Sequence, residues 1–89
     1  MMLYYVRNKD ANFLGNAPVW WCKNGHGYSA YLENAERFIQ ADAEKLVRQQ
    51  PDKFEMWPCH LIDAETHTVF DWQAINRVKQ EIEKEQNHE

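Results

Sequence analysis

Eighty-nine residues make one domain and leave no room for a catalytic domain plus a regulatory one. With 44% hydrophobic and 13% aromatic residues and only three glycines and three prolines, the composition excludes global disorder. A net charge of −4 is too small for a DNA mimic and of the wrong sign for a duplex binder.

Leu3-Tyr4-Tyr5-Val6, aromatic and β-branched, reads as the first strand, closed by a polar run over residues 7–12. Residues 13–18 are a connector punctuated by Gly15-Asn16 and Pro18. Residues 19–23 and 26–31 form the second and third strands around Asn24-Gly25, the strongest short-range hairpin signal a chain offers. A two-residue loop sets Lys23 opposite His26, Cys22 opposite Gly27, Trp21 opposite Tyr28 and Trp20 opposite Ser29. One face then carries Val19, Trp21, Tyr28 and Ala30, and the other Trp20, Cys22, Gly27, Ser29 and Tyr31. In a chain this short, one of the two tryptophans is expected to face away from the main core. The pattern leaves open which.

Residues 32–35 read as one helical turn. A helix follows from about Ala41 to Gln50, stopped by Pro51, with Ala43, Leu46, Val47 and Gln50 as its buried stripe. Asp42 and Glu44 in its first turn and Arg48 in its last suit the helix dipole. Residues 54–63 form the fourth strand, and Pro58 within it demands an edge or a bulge. Residues 63–68 make a tight connection in which His67 takes the left-handed position, before a short strand at Val69-Phe70. Asp71 caps a second helix from Trp72 to about Glu85, whose narrow stripe is Trp72, Ile75, Val78 and Ile82. Nothing apolar follows Ile82, so residues 83–89 are expected to fray. The sum is a single α+β domain over residues 1–89. It is a small antiparallel sheet in the order β-β-β-α-β-β-α, with two helices packed on one face.

Several of these residues make a pattern. Phe13-Leu14-Gly15-Asn16 precedes Trp20-Trp21, followed by Gly25-His26-Gly27-Tyr28-Ser29, Ala35, Phe38, Ala43, and Trp57-Pro58 with Ile62-Asp63. It resembles a loose family of small uncharacterised proteins from bacteriophages, prophages and bacterial genomes, over roughly residues 3–72. Ser29 stands where that family often has Thr, and Ile39 where it often has a Thr that caps the helix. The resemblance implies no activity. It implies a mobile-element accessory gene, a class that often encodes small proteins that inhibit or redirect a host factor.

Residues 1–31 carry Arg7, Lys9 and Lys23 against Asp10, a balance of +2, and the other 58 residues balance at −6. Cys22 and Cys59 are the only cysteines, too few for a disulfide framework. The first ten residues lack the apolar stretch of a signal peptide, and no run approaches a membrane span. A cytoplasmic protein with reduced thiols and no membrane contact is expected. Cys22, His26, Cys59 and His60 have zinc-ligand chemistry but not its spacing, because neighbours on a strand point apart. No metal or cofactor is expected. Nor is an enzyme: the register separates Cys22 from His26, neither cysteine falls at a helix N-terminus, and no Gly-x-Ser-x-Gly, phosphate loop or His-Glu-x-x-His occurs.

Binding remains. Trp, Tyr and Arg most often carry interface energy, so the first reading is a protein partner. It is a host protein, with defence-system components among the candidates, that this chain inhibits or redirects. The expected contact residues are Trp20, Tyr28, Tyr31 and Tyr5, with Arg7 and Lys23 at the rim and the Pro58 strand as a second contact. The runner-up is a single-stranded nucleic-acid module stacking bases on the same aromatic and basic hairpin. A homodimer is a further way to cover the outer tryptophan. Against all three stands a plainer account, in which the aromatics simply build a small core.

Overall fold

Leu3–Asn8 forms the central strand, β1, of a five-stranded antiparallel sheet in the computed structural model, which describes residues 2–11, 13–25, 27–66 and 68–86. One edge of β1 pairs with β5 (Phe54–Pro58), from Tyr4 opposite Pro58 to Asn8 opposite Phe54. Its other edge is shared. There β4 (Phe38–Ile39) pairs with Leu3 and Tyr4, and β2 (Trp20–Trp21) pairs at Arg7. Outside β2 lies β3 (Tyr28–Ser29).

The hairpin keeps the expected register, Trp20 opposite Ser29 and Trp21 opposite Tyr28. The Cys22 N–H donates to the Gly27 carbonyl at 2.8 Å. Asn24 (φ 57°) and Gly25 (φ 70°) both take left-handed backbone, the geometry that matches a tight turn to the twist of its strands. The expected pairing of Lys23 with His26 lies outside the described residues, as does the left-handed position expected of His67.

Alternation along β1 sends Tyr5 and Val6 to opposite faces, and both faces are covered. The larger core joins Tyr5, Trp20 and Phe70 to Cys59, Leu61 and Ile62 of α2 (Cys59–Ala64) and to Ile75 and Val78 of α3 (Ile75–Gln86). The smaller joins Val6, Ala43 and Phe54, closed by Leu46 and Val47 of α1 (Gln40–Gln49) and by Trp21, Phe38 and Met56. The class is α+β as expected. The helices, however, divide between the two faces instead of sharing one, because large neighbours at 5/6 and at 20/21 each need cover on their own side.

Trp20 therefore has no exposed area, while Trp21 is half-buried. The Trp21 ring stands edge-on to Tyr28, Phe38 and Phe54 at centroid distances of 5.8, 6.3 and 5.3 Å.

The fourth strand is shorter than its composition suggests. It ends at Pro58, whose extended backbone (φ −60°, ψ 127°) leads into α2. Cys59 and Ile62, three apart, must both reach the larger core, which a helix allows and a strand's alternation does not. Val69 and Phe70 make isolated bridges to Tyr31 and Thr66 instead of a sheet strand. The observed order is β-β-β-β-α-β-α-α. Asp71 does cap: its Oδ1 accepts the Gln73 N–H at 2.9 Å. Helix α3 continues past Ile82 to Gln86, and His60 Nε2 lies 2.9 Å from Glu85 Oε2. Residues 87–89 lie outside the described residues.

Pro58 does sit on an edge strand, since β5 pairs with β1 alone. The Lys9 N–H donates to the Lys53 carbonyl at 2.7 Å, so alternation turns Glu55 and Trp57 toward β1 and Phe54, Met56 and Pro58 outward. The Phe54 N–H is taken by the Gln50 carbonyl at 3.0 Å, and proline has none. Only Met56 offers an outward N–H. That edge is short of donors, which weakens it as a template for another strand.

Truncating the two tryptophans should separate them. Trp20→Ala should cost about 3–5 kcal/mol of unfolding free energy and Trp21→Ala about half of that, measured by urea denaturation. Equal losses would mean that the two faces are closed to the same depth.

Candidate binding site at the hairpin end

The six expected contact residues do not share a surface. Trp20 and Tyr5 have no exposed area, with ring centroids 5.5 Å apart in the larger core. Trp20 is corrected, because a fully packed side chain touches no partner, and Tyr5 offers no exposed ring but only lines the floor of a pocket. Arg7 leaves the rim as well. Its Nη1 lies 2.5 Å from Glu55 Oε1, and its guanidinium carbon stands 4.2 Å from the Trp72 ring centroid and 5.1 Å from that of Phe13. The Trp57 indole N–H donates to the same Glu55 oxygen at 2.9 Å. Arg7 is thus a structural cation between aromatic rings.

The other three are exposed, but Tyr28 and Lys23 line one pocket and Tyr31 another. Tyr28 is 39% and Tyr31 48% exposed, and Lys23 is exposed in the turn between β2 and β3. They gather about a tight 3-10 turn, Leu32–Asn34. Buried Leu32 anchors that turn, and the Asn34 N–H donates to the Tyr31 carbonyl at 3.1 Å. The Glu36 N–H donates to the Trp21 carbonyl at 2.9 Å, tying the turn to β2. At its crest is Glu33, whose backbone carbonyl accepts from Lys23 Nζ at 3.1 Å. Glu33 lines a pocket of about 360 Å³ with Tyr28 and Lys23 and another of about 410 Å³ with Tyr31, Arg37 and Asp63. Glu33 thus stands between two half-exposed rings, each lining its own pocket.

The floor of the second pocket is a polar cluster. The Tyr5 hydroxyl donates to Asp63 Oδ1 at 2.6 Å, and Arg37 Nη2 forms an ion pair with Asp63 Oδ2 at 3.0 Å. The Arg37 guanidinium carbon lies 5.1 Å from the Tyr5 ring centroid. Burial, and then the Asp63 carboxylate, push the Tyr5 phenol far above its usual range. A third pocket, of about 420 Å³, opens on the other side of the same Arg37–Asp63 pair beside Leu3, Cys59 and His60. Arg37 and Asp63 were not expected as site residues. The signal for Asp63 was Pro58: with a helix starting at Cys59, Asp63 falls four residues on, on the face that meets Tyr5.

Cys59 opens α2, correcting the expectation that neither cysteine lies at a helix start. Such a position ordinarily lowers a thiol pKa. Here burial dominates and pushes the Cys59 thiol up to about 12, with Arg37 opposing it. Burial raises the Cys22 thiol as well. Both are neutral, poorly nucleophilic groups at neutral pH. Among the described residues no group of three or more His, Cys, Asp or Glu is placed to hold a metal ion. No helix among them is long and apolar enough to cross a membrane.

A neutral acid whose folded pKa is raised contributes stability below its unfolded value and loses it as pH climbs toward the folded one. For Cys59 that window runs from 9.0 to about 12, and Tyr5 adds to the loss above 10.0. Urea midpoints should hold below pH 9 and fall steeply above it, and Cys59→Ala should flatten the first part of the fall. An unchanged slope in that variant would show that the thiol ionises freely.

Comparison with protein-family models, with curated proteins and with solved structures finds no match for this chain.

Proposed function

We propose that this chain is a small, non-enzymatic accessory protein of phage or prophage type. It binds a host protein through the hairpin end and inhibits or redirects it, with components of host defence as the targets that suit such a gene. The observation that carries the binding half is the pair of half-exposed tyrosines on a fixed frame. Tyr28 leans edge-on against Trp21, and Tyr31 precedes a turn held by backbone bonds at both ends. Large amphipathic side chains that are already positioned lose little freedom on binding. The host-directed half draws its support from the Leu-Gly-Asn, Trp-Trp and Gly-Tyr pattern.

The same surface weighs against single-stranded nucleic acid. Phosphate binding draws on cations that gather on one surface, and the cations of this segment are spread over separate anchors. Arg7 is held by Glu55, Lys9 Nζ donates to the Pro51 carbonyl at 2.9 Å, and Lys23 is drawn onto the Glu33 carbonyl. Glu33 then adds a negative charge to the surface that the bases would approach.

Tyr28→Ala and Tyr31→Ala should each change stability by no more than about 1 kcal/mol and weaken partner binding by about tenfold or more. The tagged chain should capture a near-stoichiometric host protein from lysate, with nuclease present, and both variants should lose it. Capture that collapses on nuclease treatment would transfer the assignment to nucleic acid.

A further inference from the structure

The pocket under Tyr31 carries more information than an exposed ring. Three charged side chains line it: Glu33, Arg37 and Asp63. Two of them cancel. Asp63 pairs with Arg37 through one oxygen and accepts from the Tyr5 hydroxyl on the other, so its charge is matched and both oxygens are engaged. Arg37 is held by that carboxylate and lies over the Tyr5 ring. Glu33 is different. Among the described residues its carboxylate has no hydrogen-bond or ion-pair partner; its one bond to Lys23 runs through the backbone carbonyl. The lining of this pocket therefore carries one carboxylate in excess, with Tyr31 and Thr68 beside it, while the Lys23 ammonium lies outside the lining on the Glu33 carbonyl.

An anionic ligand fits this poorly. It would have to draw Arg37 from a carboxylate 3.0 Å away while facing Glu33. A cation with a flat or apolar stem fits on each count, because carboxylate and aromatic face both attract it. The volume, about 410 Å³, is that of a site for a small group. Residues 32–89 sum to −6, which adds a long-range pull on a basic surface.

We infer that this pocket receives an arginine or lysine side chain from a basic segment of the protein partner, its cation held by Glu33 and its stem laid against Tyr31. Arginine is the better occupant, since its planar guanidinium stacks on a ring as a lysine ammonium does not. The inference rests on the binding role proposed for the hairpin end and specifies what that end recognises.

The test uses the full chain and a defined probe, Nα-acetyl-arginine amide, followed by amide chemical shifts. Shifts at Tyr31, Glu33 and Thr68 are expected, saturating with a dissociation constant of the order of 10 mM, the scale of one exposed ion pair with a cation–π contact. Nα-acetyl-glutamine amide should leave these amides unmoved. Glu33→Gln, at an exposed position with no side-chain bond among the described residues, should fold as the parent does and weaken the arginine probe by about fivefold or more. No shifts at these residues, equal shifts with the neutral probe, or an unaltered constant in Glu33→Gln would each overturn the inference. The two proposals fail separately. If a captured partner is lost with Tyr28→Ala but held equally well by Glu33→Gln, the basic-pocket assignment falls and the binding role stands. If both tyrosine variants retain the partner, the binding role falls, and the probe titration still decides the pocket.

Discussion

Everything in this fold hangs on burying one tyrosine in the middle of one strand. Tyr5 lies at the centre of β1, under Trp20, with no solvent exposure. A phenol hydroxyl there is costly unless it is bonded. Asp63 supplies the acceptor, which requires α2 to cross that face of the sheet. Helix α2 can do so because the chain leaves the sheet at Pro58. The carboxylate that satisfies Tyr5 then orients Arg37, and the Arg37–Asp63 pair separates the two pockets beside it. A packing requirement in the core thus fixes the shape and charge of the surface above it.

Aromatic contacts do the work of a larger core. Trp57, Trp72, Phe70, Trp20 and Tyr5 follow one another at centroid distances of 5.9, 6.2, 6.5 and 5.5 Å, all tilted or edge-on, the preferred arrangements. In 89 residues such side chains bury more area per position than aliphatic ones. The arrangement has a cost. The Trp20 indole nitrogen and Arg7 Nε are buried and find no hydrogen-bond partner among the described residues. For Arg7, stacking on Trp72 and pairing with Glu55 offset part of that loss.

The features legible in the sequence were those with local causes. Asn24-Gly25 dictates its own turn and with it the register of Trp20 and Trp21. Pro51 bounds α1, and the Asp71 side chain starts the turn before α3. What depended on distant residues was not legible. Alternation correctly parted the two tryptophans, yet whether the second face was open depended on α1, some twenty residues on. Residues 59–64 carry an apolar pattern short enough to suit strand or helix, and only the demand of Tyr5 and the core for Cys59, Ile62 and Asp63 on one side decides it. Arg37 and Asp63 stayed unseen as a site for the same reason, since 26 residues separate them and no local pattern joins them.

The charge pattern shows how far a fold can redirect a composition. Residues 1–31 hold an excess of base and six tyrosine and tryptophan side chains, which read together suggest a cationic, aromatic binding face. Folding takes the two apart. The cations go to Glu55, to the Pro51 carbonyl and to the Glu33 carbonyl, and four of the rings are buried or partly buried in the two cores. A sheet with both faces covered and one outer edge nearly stripped of donors has little left for recognition except its turns. At the hairpin end the two outward tyrosines then sit beside Glu33, and Lys23 is tethered to its backbone. The carboxylate in excess in the pocket under Tyr31 thus comes from outside the basic segment.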